Sequence, residues 1–154
     1  MADRPFRILG VQSIALGSEN KAAMLKLWSE LFGLEHSGTF KSMDGNIDVD
    51  VLRLQTGERS VEISIMEPIS GKADSKKRRA PLHRIGLWVD DLPAAVQYLK
   101  DHGVNFVERG LRSIQAGYDV ACIHPRHTEK HPHSGCGIFI ELIQAPPEMI
   151  KKNS

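Results

Sequence analysis

Along the chain, apolar residues fall into two alternating patterns, and the pair of patterns occurs twice. In "NKAAMLKLWSELFG" the apolar positions Met24, Leu27, Trp28, Leu31 and Phe32 recur at intervals of three and four, which predicts a helix with one apolar face. In "DDLPAAVQYLKDHG" Leu92, Ala95, Val96 and Leu99 do the same. Asp91 and Pro93 suit the start of that second helix: a carboxylate accepts otherwise unpaired backbone N–H groups, and proline has none to lose in a first turn. Gly33 and Gly103 suit the left-handed residue just past a helix end.

Elsewhere the chain alternates aliphatic with polar residues, the period of a strand. Strands are predicted in "SIALG" and "HRIGLWV" before the helices. After them come "IDVDVLRL" and "RSVEISIM" in the first half, and "GYDVACIH" and "GIFIELIQ" in the second. Short strands are also expected near Glu35 to Thr39 and Asn105 to Glu108. Ser13 corresponds to His83 and Gly33 to Gly103, and both pairs are 70 positions apart. The pattern is therefore a tandem βαβββ repeat within one domain spanning 1–154. Repeat 1 covers about 6–68, a polar linker about 69–81, and repeat 2 about 82–146.

Composition narrows the class. With 154 residues, 41% of them hydrophobic, the chain suits one ordinary core. Its 20 basic and 19 acidic side chains nearly cancel, so neither nucleic acid nor an anionic membrane is an expected partner. Two cysteines, Cys122 and Cys136, are too few for a disulfide framework, and no segment reads as a signal or a membrane span, so a cytoplasmic setting is expected. Cys136, between two glycines, reads as a small residue at a tight strand entrance. The run Lys76, Lys77, Arg78, Arg79 in the linker is read first as solvated charge and second as a cradle for the phosphates of a nucleotide-bearing substrate.

Chemistry is sought where a polar side chain interrupts an apolar strand, because such a group is costly unless paired. Glu141 shares its parity with Phe139 and Ile143. His83 opens the strand that continues through Ile85, Leu87 and Val89. Glu62 shares a face with Ser64, and Asp48 with Asp50. Taken singly, each has an ordinary structural explanation as a hydrogen-bonded or solvent-facing residue. His83 and Glu141 stand in the first and last strands of one repeat, an arrangement that converges if the sheet curls.

The paired βαβββ plan, the segment "HRIGLWVDDLPAAVQYLKDHGV" and the ending "IHP…GCGIFIELIQAP" resemble the glyoxalase, or vicinal-oxygen-chelate, superfamily, and within it most of all the methylmalonyl-CoA epimerases. The resemblance implies an α+β fold, in which two tandem βαβββ repeats form a curled, eight-stranded mixed sheet around a cleft. It also implies one divalent metal ion (Co, Zn, Ni, Mn or Mg) held by four strands. Carried over position by position, the third ligand falls on His83 and the fourth on Glu141. The second falls on Glu62 or Ser64, with Glu62 preferred on chemistry. The first falls on Ser13, where the family usually has histidine, with Gln12 as a neighbouring substitute. A single suitably placed histidine argues against the iron-dependent oxygenases of the superfamily.

The implied reaction is proton transfer next to a carbonyl, with Glu141 as base and Asp50, or Asp48 in its place, as the second acid–base group that epimerisation needs. The expected substrate is an acyl-CoA, with a glutathione adduct handled by a lactoylglutathione lyase-like enzyme as the alternative. A third reading is a non-enzymatic module of the bleomycin-resistance type. A homodimer is expected from the same resemblance. The histidine-rich "HPRHTEKHPHSG", with His124, His127, His131 and His133, reads as a hairpin insertion at the rim. His124 and His131 precede proline, which opposes a helical metal-binding spacing.

Overall fold

The structure is a computed structural model and describes residues 4–42, 46–55, 57, 60–69, 82–108, 112, 113 and 117–154. The basic run Lys76 to Arg79 and nearly all of the expected linker lie outside the described residues. The elements are β1 (Ile8–Gly17), α1 (Lys21–Leu25, continued by π-helical Lys26–Leu31), β2 (Glu35–Ser42), β3 (Ile47–Leu54), β4 (Val61–Pro68), β5 (Arg84–Val89), α2 (Leu92–Asp101), β6 (Arg112–Ser113), β7 (Asp119–Ile123), β8 (Phe139–Gln144) and α3 (Pro147–Lys152). The chain is thus α+β, with eight strands in a mixed sheet, as the repeat predicts. α3 and the two-residue β6 were not expected. The segment expected as a strand at Asn105 to Glu108 makes a single bridge, from Phe106 to Ile123, with a neighbouring one from Val104 to His133.

Two compact units emerge, Ser13–Arg84 on one hand and Met1–Gln12 with Ile85–Ser154 on the other. The boundary falls inside β1 instead of in the linker, because residues 6 and 7 pack with the second repeat. Phe6 is buried with Val89, Leu92 and Ala95. Arg7 accepts the Asp90 backbone N–H at 3.2 Å and pairs through Nε with the Asp90 carboxylate at 2.7 Å.

In the first unit the strand order is β2-β3-β4-β1, with β1 parallel to β4 and the other pairs antiparallel. α1 is capped by Asn20, whose side chain accepts from Ala23 N–H at 3.0 Å. Its apolar residues Met24, Leu25 and Trp28 cover Leu52, Ile63 and Ile65, one face of β3 and β4. The π-helical end is seen in Phe32 N–H reaching back to Leu27 O, and Gly33 then turns left-handed at φ 76°, as its position suggested.

In the second unit, β5, β8, β7 and β6 follow one another. α2 starts as expected: the Asp91 side chain accepts from Ala94 N–H at 2.9 Å, with proline in the first turn. Its apolar face packs on Leu87, Val89, Ala121, Ile123, Ile140 and Leu142. The histidine-bearing insertion is tied to the chain after α2: Asn105 N–H donates to His133 O at 2.8 Å, and His124 N–H to Asn105 O at 2.8 Å. Its closing turn admits no side chain at Gly135, where an added Cβ would stand 1.9 Å from Ile138 O. Gly135→Ala is therefore expected to displace the turn and cost about 1–3 kcal/mol, as overpacking does, read as a lower urea midpoint at unchanged slope.

Candidate functional site

The register of β1, β3 and β4 decides which polar residues meet. Ser13 is the direct partner of Glu62, and Ala15 of Ser64, across the parallel β1/β4 pair. Paired residues in a ladder point to the same face, so Ser13, Glu62 and Ser64 stand together, beside Val51, the β3 partner of Ser64. His83, the residue before β5, is tied to the same strand through its backbone N–H, which donates to Ala15 O at 2.9 Å. Ser13 and Ser64 are buried, at 3% and 5% exposure, while Glu62 and His83 are half-buried. The first unit thus sets Ser13 beside Glu62 and also contains His83. His83 lies level with the Ala15–Ser64 pair, one step along the strand from Ser13–Glu62. Gln12 falls in the other unit.

Asp48 and Asp50 turn the other way. Asp50 pairs with Ile65, whose side chain belongs to the core under α1, whereas Glu62 lies on the alternate face of β4. There Lys21, from the first turn of α1, places Nζ 2.6 Å from Asp50 Oδ2 and 2.9 Å from Asp48 Oδ2. Thr39 Oγ1 donates to Asp50 Oδ1 at 2.6 Å, and His36 Nε2 lies 2.6 Å from the same oxygen. A carboxylate only accepts, so Nε2 carries a proton. Burial opposes ionisation of Asp50, but the hydrogen bonds from Lys21, Thr39 and His36 and the charge of Lys21 outweigh it and hold the carboxyl at about 2. Burial likewise works against the Lys21 charge, and the two aspartates overcome it and raise its pKa. Asp50 is therefore a permanently ionised partner of a buried lysine, on the opposite face from Glu62. The second acid–base group expected at Asp50, with Asp48 as its substitute, is not carried into the mechanism, since such a carboxylate has neither the position nor the affinity to take up a proton near neutral pH. The sequence signal for this was the lysine at the start of α1, which an amphipathicity argument passes over as surface charge.

Glu141 belongs to the second unit. Its cross-strand partner is Cys122, while their neighbours Ala121 and Leu142 pair in the α2 core. Glu141, half-buried, is thus on the face of β8 turned away from α2, together with Phe139 and Ile143. Gln144, of the other parity, serves the fold: its Oε1 accepts the Leu92 N–H at 2.8 Å and its Nε2 donates to Asp90 O at 2.9 Å.

The donors nominated for a metal ion are divided between the units, with Ser13, Glu62 and His83 in the first and Glu141 in the second. Among the described residues no three histidine, cysteine, aspartate or glutamate side chains come together as a metal site. Ser13 offers a hydroxyl where the resemblance places an imidazole, a weaker donor for a divalent ion. The four histidines of the insertion gather no such group either. Cys136 stands exposed in the turn before β8 with a positive φ of 51°.

Comparisons with known proteins agree with the fold. At 20% identity, methylmalonyl-CoA epimerase from Mycobacterium tuberculosis superposes with a TM-score of 0.67, over 94% of this chain and 93% of that one. A Streptomyces coelicolor methylmalonyl-CoA epimerase variant, in complex with 2-nitronate-propionyl-CoA, gives 0.68 at 16% identity, over 90% and 99%. A hypothetical protein from Bacillus halodurans C-125 gives 0.66 at 20% identity, over 92% and 96%. No curated protein matches by sequence. Among the described residues no helix is long and apolar enough to cross a membrane. The family model described as "Glyoxalase/Bleomycin resistance protein/Dioxygenase superfamily" matches residues 12–122, most of the chain. The chain belongs to that superfamily.

Proposed function

We propose that this chain catalyses proton transfer at a carbon next to a thioester carbonyl, with an acyl-CoA of the methylmalonyl-CoA type as substrate and Glu141 as the base. The observation that carries the reading is Glu141 itself: a half-buried carboxylate on the face of β8 away from the α2 core, in a fold shared with methylmalonyl-CoA epimerases. A carboxylate beside the α-carbon removes the proton, and the centre inverts when a second donor, solvent water in place of Asp50, delivers a proton to the opposite face of the enolate. Ser13, Glu62, His83 and Glu141 remain the set that the resemblance nominates for a divalent ion. No step here passes through that ion, because Ser13 offers a hydroxyl where an imidazole would be the stronger donor. A homodimer and a cytosolic setting belong to the same proposal.

The test is exchange in deuterated water. Methylmalonyl-CoA incubated with the protein is expected to lose its α-proton signal and gain one mass unit, at a rate proportional to protein concentration. The methylglyoxal–glutathione adduct is run beside it. Turnover of the adduct alone would replace the epimerase with a lyase. If neither substrate exchanges, while the acyl-CoA still binds, the chain is a binding module of the bleomycin-resistance kind. The buried hydroxyl of Ser13 in place of an imidazole is the observation that favours this second reading.

A further inference from the structure

A cavity of about 600 Å³ lies in the second unit, between the C-terminal half of α2, the segment after it and β7. That volume is in the range of small-ligand sites. Its walls include Val96, Val104, Phe106 and Ala121, and Ala121 belongs to the core on the α2 side of the sheet. Cys122, the next residue of β7, also lines the cavity, whereas its cross-strand partner Glu141 is not among the lining residues.

Of its polar lining residues, Asn105 is already engaged, donating Nδ2 to Arg126 O at 2.6 Å. Lys100 lines the cavity and holds Nζ 5.8 Å from the centre of the Phe106 ring, another lining residue. The ring steadies an ammonium group over apolar surface without neutralising it. His131 comes from the insertion, with Nδ1 3.4 Å from Thr128 Oγ1, which leaves Nε2 as the nitrogen for a ligand. Glu108, exposed at the cavity mouth, disfavours a second negative charge on whatever enters.

From this arrangement we infer a second ligand site, for a small monocarboxylate with an apolar body, its tail against Val96, Val104, Phe106 and Ala121 and its carboxylate at Lys100 and His131. The histidine-rich insertion then acts as part of a binding wall, supplying one polar contact, instead of as a metal centre.

Hexanoate is the probe, hexanamide its uncharged control, and the readout is the backbone amide chemical shifts of the full chain during titration. Hexanoate is expected to move the amides of Val96, Val104, Phe106 and Ala121 and to saturate in the millimolar range. Loss of the charge–charge contact in hexanamide, or in Lys100→Glu, is expected to weaken binding by about ten-fold or more. Lys100→Arg keeps the charge and is expected to keep binding, and Glu141→Gln is expected to leave it unchanged. Both Lys100 variants are at an exposed helix position, so folding is not at stake. The proposal is overturned if hexanoate leaves these amides unmoved, if hexanamide binds as well, or if Lys100→Glu binds undiminished. Loss of binding in Glu141→Gln would also overturn it, by assigning the hexanoate to the other face. None of these outcomes depends on whether the chain is an epimerase.

Discussion

Glu141→Gln is expected to lower α-proton exchange on methylmalonyl-CoA by about a hundred- to ten-thousand-fold, the range that a positioned general base contributes. Glutamine keeps the size and the ability to hydrogen-bond but cannot take up a proton. The α2-side contacts of β8, made by Ile140 and Leu142, are untouched, so the variant is expected to fold and to bind the thioester with little change in KM. A fall in kcat with KM held is the signature of a lost proton-transfer group, whereas a rise in KM alone would show that Glu141 only shapes the site. Glu62→Gln and His83→Ala, in the other unit, probe the nominated ion separately. Elemental analysis of the purified wild-type chain should accompany them, because a stoichiometric divalent metal lost in both variants would add a metal to the proposed proton transfer. Retention of full exchange activity by Glu141→Gln would sink the assignment of the base.

Asp50→Ala is expected to be the most destabilising of the single changes considered, by about 3–5 kcal/mol, the cost of removing one partner from a buried ion pair. Lys21 would be left buried with Asp48 alone, 2.9 Å away, which places the cost toward the lower end. Thr39 and His36 would lose their acceptor as well. The same pair makes stability depend on pH. Asp50 is held at about 2 in the folded chain against 3.8 ordinarily, so the folded state binds this proton less tightly than the unfolded state does. Its contribution is therefore fully present above about pH 4 and is lost as pH falls through 2, a change of about 2 kcal/mol. Urea unfolding between pH 5 and 2 measures this directly, with Asp50→Asn losing less stability over the window than the wild type. Because Asp50 faces α1 and not Glu62, Asp50→Asn is expected to reduce the amount of folded protein much more than the rate per folded molecule. An unchanged urea midpoint, or a collapse of exchange in a fully folded Asp50→Asn, would return Asp50 to the reaction.

Most of the strand and helix pattern was legible because it depends on short-range periodicity. The spans Ile47–Leu54 and Arg84–Val89, and the cap at Asp91, came out where alternation and capping chemistry put them. The short elements did not. β6 has two residues, and the stretch around Phe106 makes one bridge, because these segments are held by the insertion and by β7 and not by any pattern of their own. The repeat itself was visible, yet residues 6 to 12 joined the other half through Phe6 and Arg7, contacts made more than 80 positions away.

The site divides the same way. Alternation within one strand is a local property, so the sequence alone determined that Glu62 shares a face with Ser64, Asp48 with Asp50, and Glu141 with Phe139. It could not say which face of one strand matches which face of the next, since that depends on which strands pair and in what register. Only the tertiary structure put Ser13 beside Glu62, set His83 against Ala15, and turned Asp50 under α1 to meet Lys21. A one-residue slip in the β3/β4 register would have exchanged the two outcomes. That register is held by burying Leu52, Ile63 and Ile65 together, a long-range packing energy that no stretch of the chain carries by itself.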